Sequence, residues 1–206
     1  MSEIKEARLQ KANSLVSKGF ASYAQSFKVS HTTSFLIQKF DYLENGQEED
    51  FSVSIAGRVM AKRVMGKIAF FTISDQEGQI QLYLDKRIIN FNLEKQKLLS
   101  FEDIKEIVDI GDWIGVYGTI KKTNKGELSI KVEKWEMLSK SLQPLPDKWH
   151  GLTDIEKRYR QRYLDLIVNP HSKNVFKTRA KCISFIRKWL DNRNFLEIET
   201  PILQSE

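Results

Sequence analysis

Residues 51–84 read FSVSIAGRVMAKRVMGKIAFFTISDQEGQIQLYL, and the alternation within this stretch decides the fold. In Ile68-Ala69-Phe70-Phe71-Thr72-Ile73 a period of two sends Ala69, Phe71 and Ile73 to one face and Ile68, Phe70 and Thr72 to the other. Between Gln79 and Leu84, Ile80, Leu82 and Leu84 share a face opposite Gln79, Gln81 and Tyr83. Upstream, Ser52 to Lys62 sets Val53, Ile55, Val59 and Ala61 on one side, with Gly57 expected to mark a bulge or bend. Met65-Gly66-Lys67 supplies one turn. Asp75-Gln76-Glu77-Gly78 supplies the next, with Gly78 able to take a positive φ. Three successive strands result.

Each of the two later strands keeps an apolar row for a core and shows a second row containing a ring or amides. A flat ring stacks under a nucleobase, worth about 1–3 kcal/mol per base, and an amide reads a base edge. Arg58, Lys62, Arg63 and Lys67 add positive charge with no acid among them. The outer face therefore suits single-stranded nucleic acid. The same pattern also fits an ordinary half-buried antiparallel sheet whose basic turn is simply solvated.

Composition sets the limits. At 206 residues the chain accommodates one large or two small domains. Its 29% charged and 41% hydrophobic residues are those of a folded, soluble protein, and the net charge of +6 mildly favours a polyanionic partner. One cysteine, Cys182, excludes an internal disulfide and a cysteine metal cluster and fits a reducing compartment. His31, His150 and His171 lack metal-ligand spacing, so no metal is expected on this stretch. The charged start and the absence of an apolar run near ~20 residues argue against a signal peptide or membrane span and make the cytoplasm the expected location.

The remaining segments build around the opening stretch. Ser2 to Lys18 reads as an amphipathic helix stopped by Gly19, and Thr33 begins a short helix ending near Leu43. A helical insert from Asp85 to Asp109, with a helix start near Phe101, precedes two further strands. In Trp113 to Ile120, Ile114, Val116 and Ile120 alternate with Trp113, Gly115 and Tyr117; in Glu127 to Glu133, Leu128, Ile130 and Val132 face inward and Glu127, Ser129 and Lys131 outward. The lysine-rich hairpin Lys121 to Gly126 joins them. The fold class expected is mainly β with α: a five-stranded oligonucleotide-binding (OB-fold) barrel preceded by an N-terminal helix. The prolines of Pro144-Leu145-Pro146 mark a boundary. Beyond it Thr153 and Glu156 have capping-box spacing for a helix from Asp154 to Leu166. A second helix follows from Ser172 to Asn192, with Phe176, Ala180, Ile183, Ile186 and Leu190 at helical spacing, and then a strand from Phe195 to Pro201. One helix pair and one strand close no core, so this second domain is expected to be interrupted. The divisions are 1–50, 51–143, 144–152 and 153–206.

Several ordered motifs carry a resemblance: Arg63-Val64-Met65-Gly66-Lys67, Gly78-Gln79-Ile80-Gln81-Leu82-Tyr83, Lys125-Gly126-Glu127-Leu128-Ser129, Pro144-Leu145-Pro146-Asp147-Lys148, and Arg158-Tyr159-Arg160-Gln161-Arg162-Tyr163-Leu164-Asp165-Leu166. With them the chain resembles the lysyl-tRNA synthetases of the bacterial class II type from about Leu15 onward. Aspartyl and asparaginyl synthetases share the plan, and a free-standing tRNA-binding module is the alternative of a different class.

The resemblance implies anticodon binding by Arg63, Phe70, Gln81 and Glu127. Phe70 would stack on a base, Gln81 and Glu127 would read its edge, and Arg63 would fix a carbonyl or phosphate. Arg58, Lys62, Lys67, Lys121, Lys122 and Lys125 are the candidates for the RNA backbone. It further implies that residues 153–206 begin an α+β catalytic domain whose motif 1, carrying Phe176, Ile183, Leu190, Phe195, Glu197, Glu199 and Pro201, forms a homodimer interface. The family joins lysine to its tRNA through a lysyl-adenylate, using ATP and Mg2+. The groups for that chemistry belong to motifs 2 and 3, expected beyond Glu206, so no catalytic residue and no cofactor is expected within these residues. Lysine tRNA is the expected partner, with no DNA and no membrane.

Overall fold

In the computed structural model, which describes residues 3–93, 98–146 and 152–203, the alternating rows become the inner and outer faces of one sheet. Its strands are β1 (Glu48–Met65), β2 (Ile68–Ser74), β3 (Gln79–Asp85), β4 (Trp113–Lys122) and β5 (Leu128–Ser139). Ala69, Phe71 and Ile73 of β2 and Leu82 and Leu84 of β3 are fully buried. They meet Ile114, Val116 and Ile120 of β4 and Ile130 and Val132 of β5 in a single core. Each large side chain so buried contributes roughly 1.5–3 kcal/mol, which is why the register holds.

The strand order is β1-β2-β3-β5-β4, and the long β1 pairs with β4 through its first half and β2 through its second, so the order closes on itself. The β3–β5 pairing is parallel. Register shifts between Glu49 and Val53 and between Val59 and Ala61 let β1 serve both neighbours. The bend expected at Gly57 therefore lies further along. Gly57 stays in register with Ile114 and admits a close neighbour, since a Cβ there would lie 3.0 Å from the Ser74 carbonyl. Gly78 likewise does not adopt positive φ, unlike Gly66 at φ 61°. The Asp75 carboxylate shapes that turn instead, accepting from the backbone N–H of Glu77 at 2.7 Å and Gly78 at 2.8 Å, and from Thr33 N and Oγ1 at 2.8 Å each.

The chain divides into two compact units, Met1–Pro144 and Leu145–Glu206. In the first, α1 (Glu3–Ser17) and α2 (Thr33–Lys39) precede the sheet, and α3 (Lys86–Leu93) and α4 (Phe101–Ile107) lie between β3 and β4. The second helix thus stops short of the expected Leu43. Ser100 and Asp103 form a reciprocal capping box at the start of α4. The buried Lys140 amine donates to Ile107 O at 2.6 Å, Asp109 Oδ2 at 2.6 Å and Asp112 Oδ2 at 2.7 Å. From α1, Arg8 donates to Ser141 O at 2.9 Å and Lys11 to Asp109 at 2.6 Å. One ionic knot thereby ties the first helix, the α4–β4 connection and the chain leaving β5.

The second unit contains α5 (Ile155–Arg160), α6 (Arg162–Val168) and α7 (Pro170–Asp191). The single helix expected from Asp154 to Leu166 is broken at Gln161 (φ −120°, ψ 55°), and its cap is Asp154 rather than Thr153. The break gathers donors on the fully buried Asp165: Arg158 Nε at 2.8 Å, Asn169 Nδ2 at 2.6 Å, Ser172 Oγ at 3.1 Å, and Arg162. Burial alone would raise the Asp165 pKa, but the hydrogen bonds from Asn169, Arg158, Ser172 and Arg162 outweigh it and hold the carboxyl at about 2.

These elements correct the expected fold class. Among the described residues the seven helices hold more of the chain than the five strands. The second unit has no strand among its described residues, so the α+β reading of residues 153–206 is also overturned. Phe195 to Pro201 has strand-like composition, but a strand exists only where a neighbour takes its backbone hydrogen bonds, and none is present there. Residues 147–151 of the expected linker lie outside the described residues. Among the described residues no helix is long and apolar enough to cross a membrane.

Two predictions follow from the ionic contacts. Lys140→Met leaves Asp112 buried without its cation and lowers the stability of the first unit by about 3–5 kcal/mol in urea unfolding, whereas adding Asp112→Asn restores part of the loss. For Asp165 the folded pKa lies below the unfolded one, so its contribution is complete above the unfolded value of about 3.9 and fades as pH falls toward 2. The stability of the second unit, followed by Trp189 fluorescence in a chain whose other tryptophans are replaced by phenylalanine, should fall between pH 5 and pH 2, and Asp165→Asn should flatten that dependence.

Candidate nucleic-acid interface

Strand register assembles the outer face into two cross-strand rows. In the first, Arg63 of β1 sits beside Phe70 of β2, Phe70 beside Tyr83 of β3, and Tyr83 beside Lys131 of β5. In the second, Ala61, Thr72, Gln81, Ser129, Lys121 and Glu48 follow one another across all five strands. The β4–β5 hairpin borders both rows. Gly126, at φ 84°, makes its turn, and Thr123 exchanges hydrogen bonds with Glu127 at 2.9 and 3.1 Å. The loop before β1 steadies the hairpin, with Gly46 N donating to Lys122 O at 3.0 Å and Lys122 N to Gln47 O at 2.8 Å.

Between rows and hairpin lies a cleft of about 600 Å³ whose walls include Arg63, Phe70, Gln81, Tyr83, Lys125 and Glu127. The half-buried Phe70 ring meets Tyr83 edge to face, with centroids 5.6 Å apart at 63°. Gln81 Oε1 accepts from Ser129 Oγ at 2.8 Å, which leaves its NH2 to donate. That bond also explains why Ser129 faces outward yet is fully buried. Arg63 and Glu127 are exposed, and neither is held in an ion pair among the described residues. An aromatic face, an amide donor, a carboxylate acceptor and a guanidinium therefore converge. This set can stack on a planar ring and read the donors and acceptors on its edge.

The four residues expected to read a base are thus brought together, while the six basic candidates divide. Lys125 is exposed on the cleft wall, and Lys121 lines it with its ammonium 4.8 Å above the Tyr83 ring. Lys62 borders the cleft, but its amine donates to Lys105 O and Val108 O at 2.6 Å each, and burial lowers its pKa. Arg58 donates to Gly111 O at 2.8 Å, and Lys122 to Leu43 O at 2.7 Å. Both are engaged away from the cleft, and Lys67 is exposed in the β1–β2 turn outside its walls.

Sequence reasoning left Tyr83, Lys131 and Glu48 out of the candidate set. Tyr83 shares the outer row by simple alternation with Gln81. Glu48 accepts from Lys121 at 2.7 Å and Lys131 at 2.5 Å, and these two hydrogen bonds lower its pKa. Nothing local in the sequence links Glu48 to lysines 73 and 83 residues away.

In the second unit, Phe176, Ile183 and Leu190 lie on exposed parts of α7, and Phe195, Glu197, Glu199 and Pro201 follow it, exposed as well. Ile183, Ile186, Leu190, Phe195 and Leu196 border a second hollow of about 600 Å³, beside an Arg187–Glu197 ion pair at 2.9 Å. No group of three or more His, Cys, Asp or Glu side chains among the described residues could hold a metal ion.

Comparison with known proteins places each part of the chain beside a described family. Residues 53–138 match the family model of an OB-fold nucleic acid binding domain, and residues 154–206 match that of tRNA synthetases class II (D, K and N). The chain is 97% identical over all 206 residues to a "Lysine--tRNA ligase" of Prochlorococcus marinus strain MIT 9301, covering 40% of that protein. It is 80% identical to the protein of the same name from P. marinus strain CCMP1986 / NIES-2087 / MED4, again over 40% of the relative, and 57% identical to that of Synechococcus sp. strain RCC307, over 39%. The chain thus spans about 40% of the length of the curated relatives it matches.

Proposed function

We propose that this chain, 97% and 57% identical to two lysine-tRNA ligases over part of their length, is a part of such a ligase, and that its sheet reads the anticodon of lysine tRNA for an enzyme that attaches lysine to that tRNA. The observation that carries this reading is the convergence of Arg63, Phe70, Gln81 and Glu127 in one cleft. Phe70 stacks on an unstacked base. Gln81, oriented by Ser129, donates to the Watson–Crick edge of that base, and Glu127 accepts an N–H from it. A carboxylate there repels phosphate and so favours contact with a base over contact with the backbone. Arg63 holds a carbonyl or a phosphate oxygen, and Lys125 follows the backbone, which makes binding salt-dependent.

The exposed apolar face of α7 and the segment after it, including Ile183, Leu190 and Phe195, meets a second copy of the protein in the same reading. Ligation by the whole protein would draw on ATP and Mg2+, which supply the activated phosphoryl group and neutralise its charge. The described residues do not fit a metal site, so no step of that chemistry is assigned to them. The anticodon stem-loop of lysine tRNA, titrated against the chain at fixed salt, tests the reading. Phe70→Ala should weaken binding roughly tenfold to a hundredfold, the loss of one base–ring stack. Equal affinity for both proteins would remove the stacking role.

A further inference from the structure

Glu48 lies at the end of the second outer row, and it holds two lysines at once. Its two carboxylate oxygens accept from Lys121 at 2.7 Å and from Lys131 at 2.5 Å. Two ammonium groups closing on one anion is the geometry by which lysines hold a phosphate. The position relative to the cleft is also defined. Lys131 is the cross-strand neighbour of Tyr83, the Lys121 ammonium lies 4.8 Å above the Tyr83 ring, and Tyr83 in turn meets Phe70. A base stacked on Phe70 therefore brings an adjoining sugar-phosphate within reach of this pair.

We propose that Lys121 and Lys131 form a seat for the phosphodiester of the nucleotide adjoining the base on Phe70, and that Glu48 occupies this seat in the free protein. The inference rests on the reading of the cleft as an RNA interface. Lys62, Lys122 and Arg58 donate to backbone carbonyls that cannot leave, whereas the partner of Lys121 and Lys131 is a side chain that can. The Glu48 side chain is 40% exposed, and exposed ion pairs add little to stability, so exchanging it for a phosphate is easy. The exchange returns Glu48 to water and releases counterions from the RNA. A ligand with no phosphate at this position cannot displace Glu48, which makes the seat a test for a continuous single strand.

The experiment uses a trinucleotide of uridines, with each of its two linkages in turn replaced by a neutral methylphosphonate. Binding to the whole chain is followed by fluorescence anisotropy between 50 and about 200 mM salt. Glu48→Gln should tighten binding by about two- to fivefold, the effect of releasing an exposed ion pair. It should also steepen the dependence of log affinity on log salt by about 0.7. The gain should vanish when one particular linkage is neutral, and also in Glu48→Gln combined with Lys121→Met and Lys131→Met. Unchanged or weaker binding by Glu48→Gln, or a gain indifferent to both neutral linkages, would overturn the proposal. Phe70→Ala, measured in parallel, separates the two readings: if it still weakens binding the anticodon reading stands without the seat, and if it has no effect both fall.

Discussion

The two-residue period of β2 and β3 is the constraint on which this molecule depends. One register sends Ala69, Phe71, Ile73, Leu82 and Leu84 into the core and, by the same geometry, sends Phe70, Gln81 and Tyr83 outward. A slip of one residue would bury Phe70, Gln81 and Tyr83 and expose the core. The apolar row thus fixes the polar row, and a site with modest intrinsic stability is held in place by burial on the opposite face. β1 extends the effect, because its two register shifts allow one strand to carry Glu48 beside β4 and Arg63 beside β2.

Charge alone does not define the site, since the lysines and arginines of the first unit have different duties. Lys140 holds the interior knot with Asp109 and Asp112. Lys62 and Lys122 satisfy carbonyls at the end of α4 and after α2. Few cations then face the cleft, and two of its flanking ones share Glu48. A net charge of +6 translates into a small, organised positive border rather than a diffuse basic surface. In the proposed reading, this arrangement favours recognition of a base over indiscriminate attraction to phosphate.

What the sequence discloses and what it hides divide along physical lines. Alternation places Phe70, Gln81 and Glu127 correctly because burial of the intervening residues is a strong local signal. The Gly66 turn and the glycine stop after α1 are also local, and legible for that reason. Glu48 is illegible because it lies in the acidic run from Asn45 to Asp50, which resembles a loop, and its partners are far away in sequence. The roles of Lys62 and Lys122 depend on carbonyls brought near by folding. The break at Gln161 has no propensity signal, since glutamine is a good helix former; it comes from the gathering of Arg158 and Arg162 on Asp165. The segment from Phe195 to Pro201 shows the converse, a strand-like composition without a ladder to join.

The central claim is that the outer rows and the hairpin act together as one base-reading surface. Side-chain and backbone amide spectra of the isotope-labelled chain, recorded during titration with the lysine tRNA anticodon stem-loop, test it most directly. The account predicts that the Gln81 side-chain amide shifts together with the backbone signals of Arg63, Phe70, Tyr83 and residues 123–127. An unmoved Gln81 amide, with shifts confined to α1 or α7, would contradict it.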